Sequence, residues 1–112
     1  THLLKREDGH VDYTQSMVEI ERKHRAYSGW PGTWSIWNRN GAEMRIKLLQ
    51  LNASDFNADL APGTVRIDND RMFIDCADGT LEILEVQLEG KPKMKSVDFI
   101  RGYQDIDSVI LS

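Results

Sequence analysis

Residues 65–88 read VRIDNDRMFIDCADGTLEILEVQL. Apolar and polar side chains alternate along this stretch with a period of two, which indicates half-buried β-strands. Asn69-Asp70 and Asp78-Gly79 interrupt the alternation with residues that favour tight turns. The apolar face changes between Ile83 and Leu84, and such a change predicts a β-bulge. The stretch therefore predicts three short strands joined by turns.

The same alternation extends towards the N-terminus. Met44, Ile46 and Leu48 alternate with charged residues, and Asn40-Gly41 predicts the turn that precedes them. Trp34 shares a face with Ile36, two residues on, in one more predicted strand. About five short strands at this even spacing favour a closed or partly open antiparallel barrel, which leaves few strand edges exposed.

A change to helical spacing predicts one amphipathic helix near the N-terminus, over residues 16–27. Ser16 is its expected N-cap, and Glu19 completes a capping box. Met17, Ile20, His24 and Tyr27 fall on one face. Residues 28–31, Ser-Gly-Trp-Pro, are expected to end the helix.

Both ends of the chain are expected to lie against this body. Residues 1–15 are polar and predict an interdomain linker or strap, whereas 16–112 form the domain proper. Residues 96–101 predict a short helix, capped by Ser96 and ended by Gly102. The tail, residues 103–112, carries apolar side chains that are expected to pack on the barrel.

Composition limits the possible functions. The 112 residues fit one domain, and their net charge of −4 counts against a strong, indiscriminate nucleic-acid binder but allows a local basic patch. No apolar run is long enough to span a membrane. The single cysteine, Cys76, excludes an intrachain disulfide and favours a cytoplasmic setting. No His/Cys spacing predicts a metal site.

Several motifs, in a fixed order, resemble those of one family, the C-terminal domain of methionyl-tRNA formyltransferases. The residues that carry the resemblance are Glu7-Asp8-Gly9-His10-Val11-Asp12-Tyr13, Trp30-Pro31-Gly32-Thr33-Trp34, Pro62-Gly63-Thr64-Val65, Cys76-Ala77-Asp78-Gly79-Thr80-Leu81, and the run from Leu84 through Lys91 and Met94 to Tyr103. The resemblance covers nearly the whole chain. It implies a mainly β fold, an open Greek-key barrel related to the OB-fold.

The resemblance also implies a function and its partners. In the family, a separate N-terminal domain binds 10-formyltetrahydrofolate and carries the catalytic Asn, His and Asp. Nothing here matches that signature, so no catalytic residue and no cofactor are expected in this domain. The expected partners are initiator Met-tRNA and the N-terminal formyltransferase domain of the same protein, in the cytoplasm. The expected role is to position the tRNA for formylation.

Basic residues of the last third of the chain are the first candidates for contacts with tRNA phosphates. The alternative is an ordinary solvated face. A barrel could bring them near cations of the first hairpin. The candidate set is Arg39, Arg45, Lys47, Lys91, Lys93, Lys95 and Arg101.

Aromatic residues are the second kind of candidate. Trp34 is expected in the core and Trp30 between helix and barrel, whereas Trp37, on the opposite face, is the candidate for stacking on an unpaired base. His24 is expected to be partly buried with a hydrogen-bonded nitrogen, and Cys76 to be a small buried apolar residue. The acidic residues Asp75, Asp78, Glu82, Glu85 and Glu89 are expected on outer strand faces.

Two other functions remain open at this point. Sugar-nucleotide N-formyltransferases can carry a similar domain for structure or dimer contacts, and the acidity of this chain fits that role. A stand-alone OB-like module for single-stranded nucleic acid is disfavoured, because the first residues resemble a linker and the chain begins without methionine.

Overall fold

The computed structural model describes residues 5–27, 32–54 and 60–112. Short 3₁₀ turns at Arg6–Gly9 and Gln104–Ile106 lie near the two ends. The helices and strands between them are α1 (Met17–Tyr27), β1 (Thr33–Arg39), β2 (Ala42–Ala53), β3 (Val65–Asp68), β4 (Arg71–Asp75), β5 (Thr80–Leu88), β6 (Met94–Lys95) and α2 (Ser96–Gly102).

The strands form one curled antiparallel sheet in the order β1-β2-β5-β4-β3, with β6 paired to β5. Strands β3, β4 and β5 are consecutive neighbours, and β2 lies beside β5, which is a Greek-key arrangement. The prediction of a mainly β, barrel-like fold with one helix near each end is confirmed. The sheet curls around a core that includes Trp37, Ile46, Leu48 and Phe99.

The structure confirms the predicted turns at Asn40-Gly41 and Asn69-Asp70 and the predicted bulge in β5. Asn40 and Gly41 have φ of 53° and 81°, and Asn69 and Asp70 have φ of 52° and 61°. Positive φ at both central residues twists a two-residue turn in the same sense as its strands. The register of β2 with β5 shifts on either side of the pair Gln50–Glu85. This shift confirms the predicted bulge after Ile83.

Both chain ends complete the barrel by pairing with its outer strands. Ser112 exchanges two backbone hydrogen bonds with Ile36 of β1, while Val109 accepts one from Val65 of β3. Because β1 and β3 are the two outer strands, the tail bridges the gap between them. The strap, which we define as residues 5–15, pairs with β1 through Val11 N and the Trp34 carbonyl, 2.9 Å apart. The prediction that the tail packs on the barrel is confirmed.

The start of α1 confirms the expected capping residue. Ser16 Oγ accepts a hydrogen bond from Glu19 N at 3.2 Å. Asp78 Oδ1 accepts another from Met17 N at 2.8 Å, which ties the helix to the β4–β5 turn. Ile20 and His24 are the buried residues of the helix. The predicted helix end at residues 28–31, with Trp30, lies outside the described residues.

Two local predictions are wrong. Ser96 does not cap α2: it is the first helical residue, and its buried Oγ has no hydrogen-bond partner. Asp75 does not lie on an outer face, because its exposed fraction is 0%. Its carboxylate accepts hydrogen bonds from Arg66 Nε at 2.8 Å and from Leu60 N at 2.9 Å. Strand β4 is therefore covered on both faces, which alternation alone does not reveal.

Candidate nucleic-acid interface

The outer face of the sheet carries a cleft where β1, β2 and β5 lie side by side. Trp34, Lys47 and Gln87 are direct neighbours across these strands, so their side chains project from the same face. The cleft has a volume of about 270 Å³. We call it the basic cleft; its lining includes Arg6, Trp34, Arg45, Lys47, Gln87 and Glu89.

Trp34 joins the strap to this cleft. Its indole Nε1 donates a hydrogen bond to the Arg6 carbonyl at 2.9 Å. Its ring stacks on His10 with a centroid distance of 4.5 Å and an interplanar angle of 12°. Arg45 Cζ lies 4.2 Å from the same indole, in cation–π contact. Trp34 is buried, yet it lies beneath the strap on the outer face of β1, outside the hydrophobic core cluster.

The charges in the cleft lack close partners. In the described part of the chain, no carboxylate lies within 4.0 Å of Arg6, Arg45 or Lys47. Among the described residues that line the cleft, Glu89 alone is acidic. Unpaired cations in a concave surface raise the local positive potential, which attracts anions. A chain with a net charge of −4 thus concentrates positive charge at one place.

The predicted lysines of the last third lie beside this cleft. Lys91, Lys93 and Lys95 are all exposed, on or next to the turn between β5 and β6. Gln87, which lines the cleft, donates through Nε2 to the Lys91 carbonyl at 3.0 Å. Lys95 lies opposite Glu85 in the β5–β6 pair. The turn therefore borders the basic cleft, whose lining includes Glu89 and Gly90, and we call Lys91, Lys93 and Lys95 the lysine rim.

Two predicted arginines do not line the cleft. Arg39 Nε lies 2.7 Å from Asp105 Oδ2, and its guanidinium covers the rings of Trp37 and Tyr103. Arg101 has Asp70 as a partner at 3.8 Å. Carboxylates already balance both side chains, so they contribute less to an anion-binding surface than the cleft residues.

The prediction that Trp37 presents its ring for base stacking is wrong. Its exposed fraction is 1%, and its ring packs edge-on against Phe99 and Tyr103, each at a centroid distance of 6.2 Å. The expected burial of Trp34 is confirmed, but the opposite face of β1, with Trp37, is buried as well. His10 of the strap covers the ring of Trp34, whereas Trp37, on the opposite face, points into the barrel and belongs to its core cluster.

Arg6 was not among the predicted site residues, although it lines the cleft with Arg45 and Lys47. Sequence placed it only in a polar linker. Its position depends on the contact between the strap and Trp34, 28 residues further along the chain. No local pattern signals such a contact.

The other titratable candidates have structural roles. His24 Nδ1 lies 2.7 Å from Thr33 Oγ1, and burial lowers the pKa of its imidazole. Cys76 is buried, donates from Sγ to the Gly79 carbonyl, and has a thiol pKa raised by burial. Both predictions are confirmed. No three His, Cys, Asp or Glu side chains in the described ranges are grouped so as to hold a metal ion. No helix there is long and apolar enough to cross a membrane.

Comparison with known proteins agrees with this architecture. A model of the formyl transferase C-terminal domain matches residues 3–104. The chain belongs to the formyl transferase C-terminal domain family. The basic cleft, the lysine rim and most of the barrel lie within the matched residues of this family domain.

Two relatives of the domain are methionyl-tRNA formyltransferases. A methionyl-tRNA formyltransferase of Acidobacterium capsulatum is 41% identical over 101 residues, which are 89% of this chain and 31% of that protein. One of Dehalococcoides mccartyi is 34% identical over 110 residues, 97% of this chain and 34% of that protein. The chain thus spans about a third of the length of the curated relatives it matches.

A solved structure shows the same fold. HypX of Aquifex aeolicus, crystallised in complex with tetrahydrofolic acid, superposes with a TM-score of 0.68 at 19% identity. The match covers 92% of this chain and 18% of HypX. At this identity the likeness supports the fold of the family domain and nothing further.

Proposed function

We propose that this chain is the C-terminal, non-catalytic domain of a methionyl-tRNA formyltransferase. In this proposal the domain holds initiator Met-tRNA while a separate N-terminal domain transfers the formyl group from 10-formyltetrahydrofolate, in the cytoplasm. The observation that carries the proposal is the match of nearly the whole chain to one third of proteins named methionyl-tRNA formyltransferase.

The charge distribution supports a tRNA-facing surface. Arg45 and Lys47 line the basic cleft without carboxylate partners in the described ranges, and the exposed lysine rim continues from it. Each cation that neutralises an RNA phosphate releases counterions, so binding through this surface is salt-dependent. The N-terminal domain would bind the methionyl end of the tRNA, and this domain would hold the tRNA at a second place. Holding the tRNA at both places would orient the methionyl amine and lower the barrier to formyl transfer.

The experiment uses the full-length protein that carries this domain. Replacing Lys91, Lys93 and Lys95 by Ala is expected to raise KM for Met-tRNA several-fold, with kcat at saturating tRNA little changed. KM should change without kcat because these lysines would contact the tRNA equally in the ground state and in the transition state of formyl transfer. The dependence of log(kcat/KM) on log[salt] should become shallower by about one for each lost phosphate contact.

The control removes two positive charges from a helix near the opposite end of the sequence. Arg22→Ala/Arg25→Ala changes two exposed residues of α1, away from the cleft lining. KM of the control should stay close to that of the wild type. Equal KM values for all three proteins, or equal rises in both variants, would remove the lysine rim from the proposal.

A further inference from the structure

We infer that the basic cleft is a phosphate-binding site formed by Arg6, Arg45 and Lys47, and that Trp34 is the positioning residue that holds Arg6 in it. The inference deepens the proposed function. That the bound phosphate belongs to a tRNA rests on that proposal, whereas the existence of a phosphate-binding site does not.

The charge pattern selects these three cations. Arg39, Arg66 and Arg71 each have a carboxylate 2.7–2.8 Å away. By the same 4.0 Å criterion Arg6, Arg45 and Lys47 have none in the described part of the chain, yet all three face one cleft. Holding like charges together costs free energy, and an anion between them would offset that cost. The two guanidinium groups can each donate a pair of hydrogen bonds to phosphate oxygens, and the ammonium group of Lys47 can donate a further one.

The positions of the cations depend on Trp34. The hydrogen bond from its Nε1 fixes the Arg6 backbone, and the cation–π contact at 4.2 Å restrains the Arg45 guanidinium. Lys47 is the cross-strand neighbour of Trp34. All three cations are therefore arranged around one rigid indole. Such preorganisation reduces the ordering cost of binding.

The site joins two separate parts of the chain. Arg6 belongs to the strap, whereas Arg45 and Lys47 belong to β2. The strap is further held by Lys23 Nζ, which donates to the His10 carbonyl at 2.8 Å. A phosphate bound by all three cations would link strap and barrel, so occupancy should slow hydrogen exchange of the strap amides.

The first experiment titrates the ¹⁵N-labelled chain with inorganic phosphate at constant ionic strength. Saturable shifts are expected at the Trp34 indole N–H and at the amides of residues 6–11, with slower exchange in the strap. Arg6→Ala should lower the affinity at least fivefold. The control, Lys5→Ala, removes the same charge from the neighbouring exposed residue, which does not line the cleft. Absence of saturable shifts, or equal losses in both variants, would overturn the site.

The second experiment separates positioning from general stability. Trp34→Phe keeps an aromatic ring but loses the N–H donor to Arg6. Phosphate affinity should fall about fivefold, the factor expected for one net hydrogen bond. Adding Arg6→Ala to Trp34→Phe should then cost much less affinity than Arg6→Ala costs alone. Additive losses would show that Trp34 does not act through Arg6.

The third experiment identifies the carrier with two probes, an initiator tRNA and a nucleoside diphosphate. With tRNA, Arg6→Ala should reduce the slope of log Kd against log[salt] by about one. If inorganic phosphate and the diphosphate bind through Arg6 but tRNA does not, the site stands and the proposed tRNA function fails. If tRNA binds with an unchanged slope in Arg6→Ala, the tRNA function stands and the site fails as a tRNA contact.

Discussion

The hydroxyl of Tyr13 lies 2.5 Å from Oγ of Ser35, and both residues are buried. Tyr13 belongs to the strap and Ser35 to β1, so this hydrogen bond fixes the strap inside the domain. Burial raises the pKa of the Tyr13 hydroxyl, because the phenolate would be poorly solvated there. Val11 and Tyr13 both belong to the core cluster. The strap is thus part of the folded unit, while the boundary at residue 15 stays a prediction.

Tyr13→Phe should lower the free energy of unfolding by about 1–3 kcal/mol, because it leaves Ser35 Oγ buried without that partner. Urea denaturation measures the loss. The double variant Tyr13→Phe/Ser35→Ala removes both polar atoms and should recover much of the stability. A double variant less stable than the single one would contradict this account of the pair.

Trp37→Ala should lower the free energy of unfolding by about 3–5 kcal/mol, because it empties a large fully buried site. Trp37→Phe keeps most of the packing and should cost less. Thermal denaturation of both variants tests whether Trp37→Ala is less stable than Trp37→Phe. A Trp37→Ala protein with wild-type stability and weakened RNA binding would instead support a surface role for this ring.

Two carboxylate–arginine pairs offer a matched comparison of burial. Asp75, fully buried, pairs with Arg66; Glu82 pairs with Arg71, whose side chain is 52% exposed. Asp75→Asn should cost about 3 kcal/mol, since it breaks an ion pair whose carboxylate is fully buried. Glu82→Gln should cost at most about 1 kcal/mol because water screens the pair. Equal losses in urea denaturation would show that burial does not separate the two pairs.

His24 predicts how stability depends on pH. Burial lowers the pKa of its imidazole in the folded state, with Glu21 opposing the shift. The unfolded chain therefore binds the proton more readily than the folded one. The contribution of neutral His24 to the free energy of unfolding is fully retained above the pKa of the unfolded chain, about 6.5, and is lost as the pH falls below that value.

His24→Gln should flatten this part of the profile. Unfolding free energies measured between pH 7.5 and pH 5.5 should fall less steeply in the variant than in the wild type. Parallel profiles for the two proteins would assign the pH dependence to other groups.

Local patterns predicted the parts of the fold whose causes are local. The turns at Asn40-Gly41 and Asn69-Asp70 follow from residues that tolerate positive φ. The Ser16 cap follows from a side chain that reaches a backbone amide three residues away. Alternation also assigned Ile46 and Leu48 correctly, because β2 has one buried face there.

Alternation failed where distant segments cover a strand. On β1, the strap and Arg45 cover Trp34 on the outer face, so both faces contain buried tryptophans and the pattern cannot tell which points inward. Strand β4 is buried along both faces for the same kind of reason. The family resemblance still predicted the fold correctly, but it did not predict which side of a strand each side chain occupies.

By itself, the sequence determined the mainly β class, the family, the helices and the grouping of Lys91, Lys93 and Lys95 in one short stretch, because these depend on neighbours within a few residues or on ordered motifs. Only the tertiary structure decided which of the candidate cations have carboxylate partners in the described part of the chain. That selection depends on contacts between residues far apart in the chain, such as Arg39 with Asp105 and Trp34 with Arg6. The first neutralises a predicted site residue, and the second brings an unpredicted one into the basic cleft.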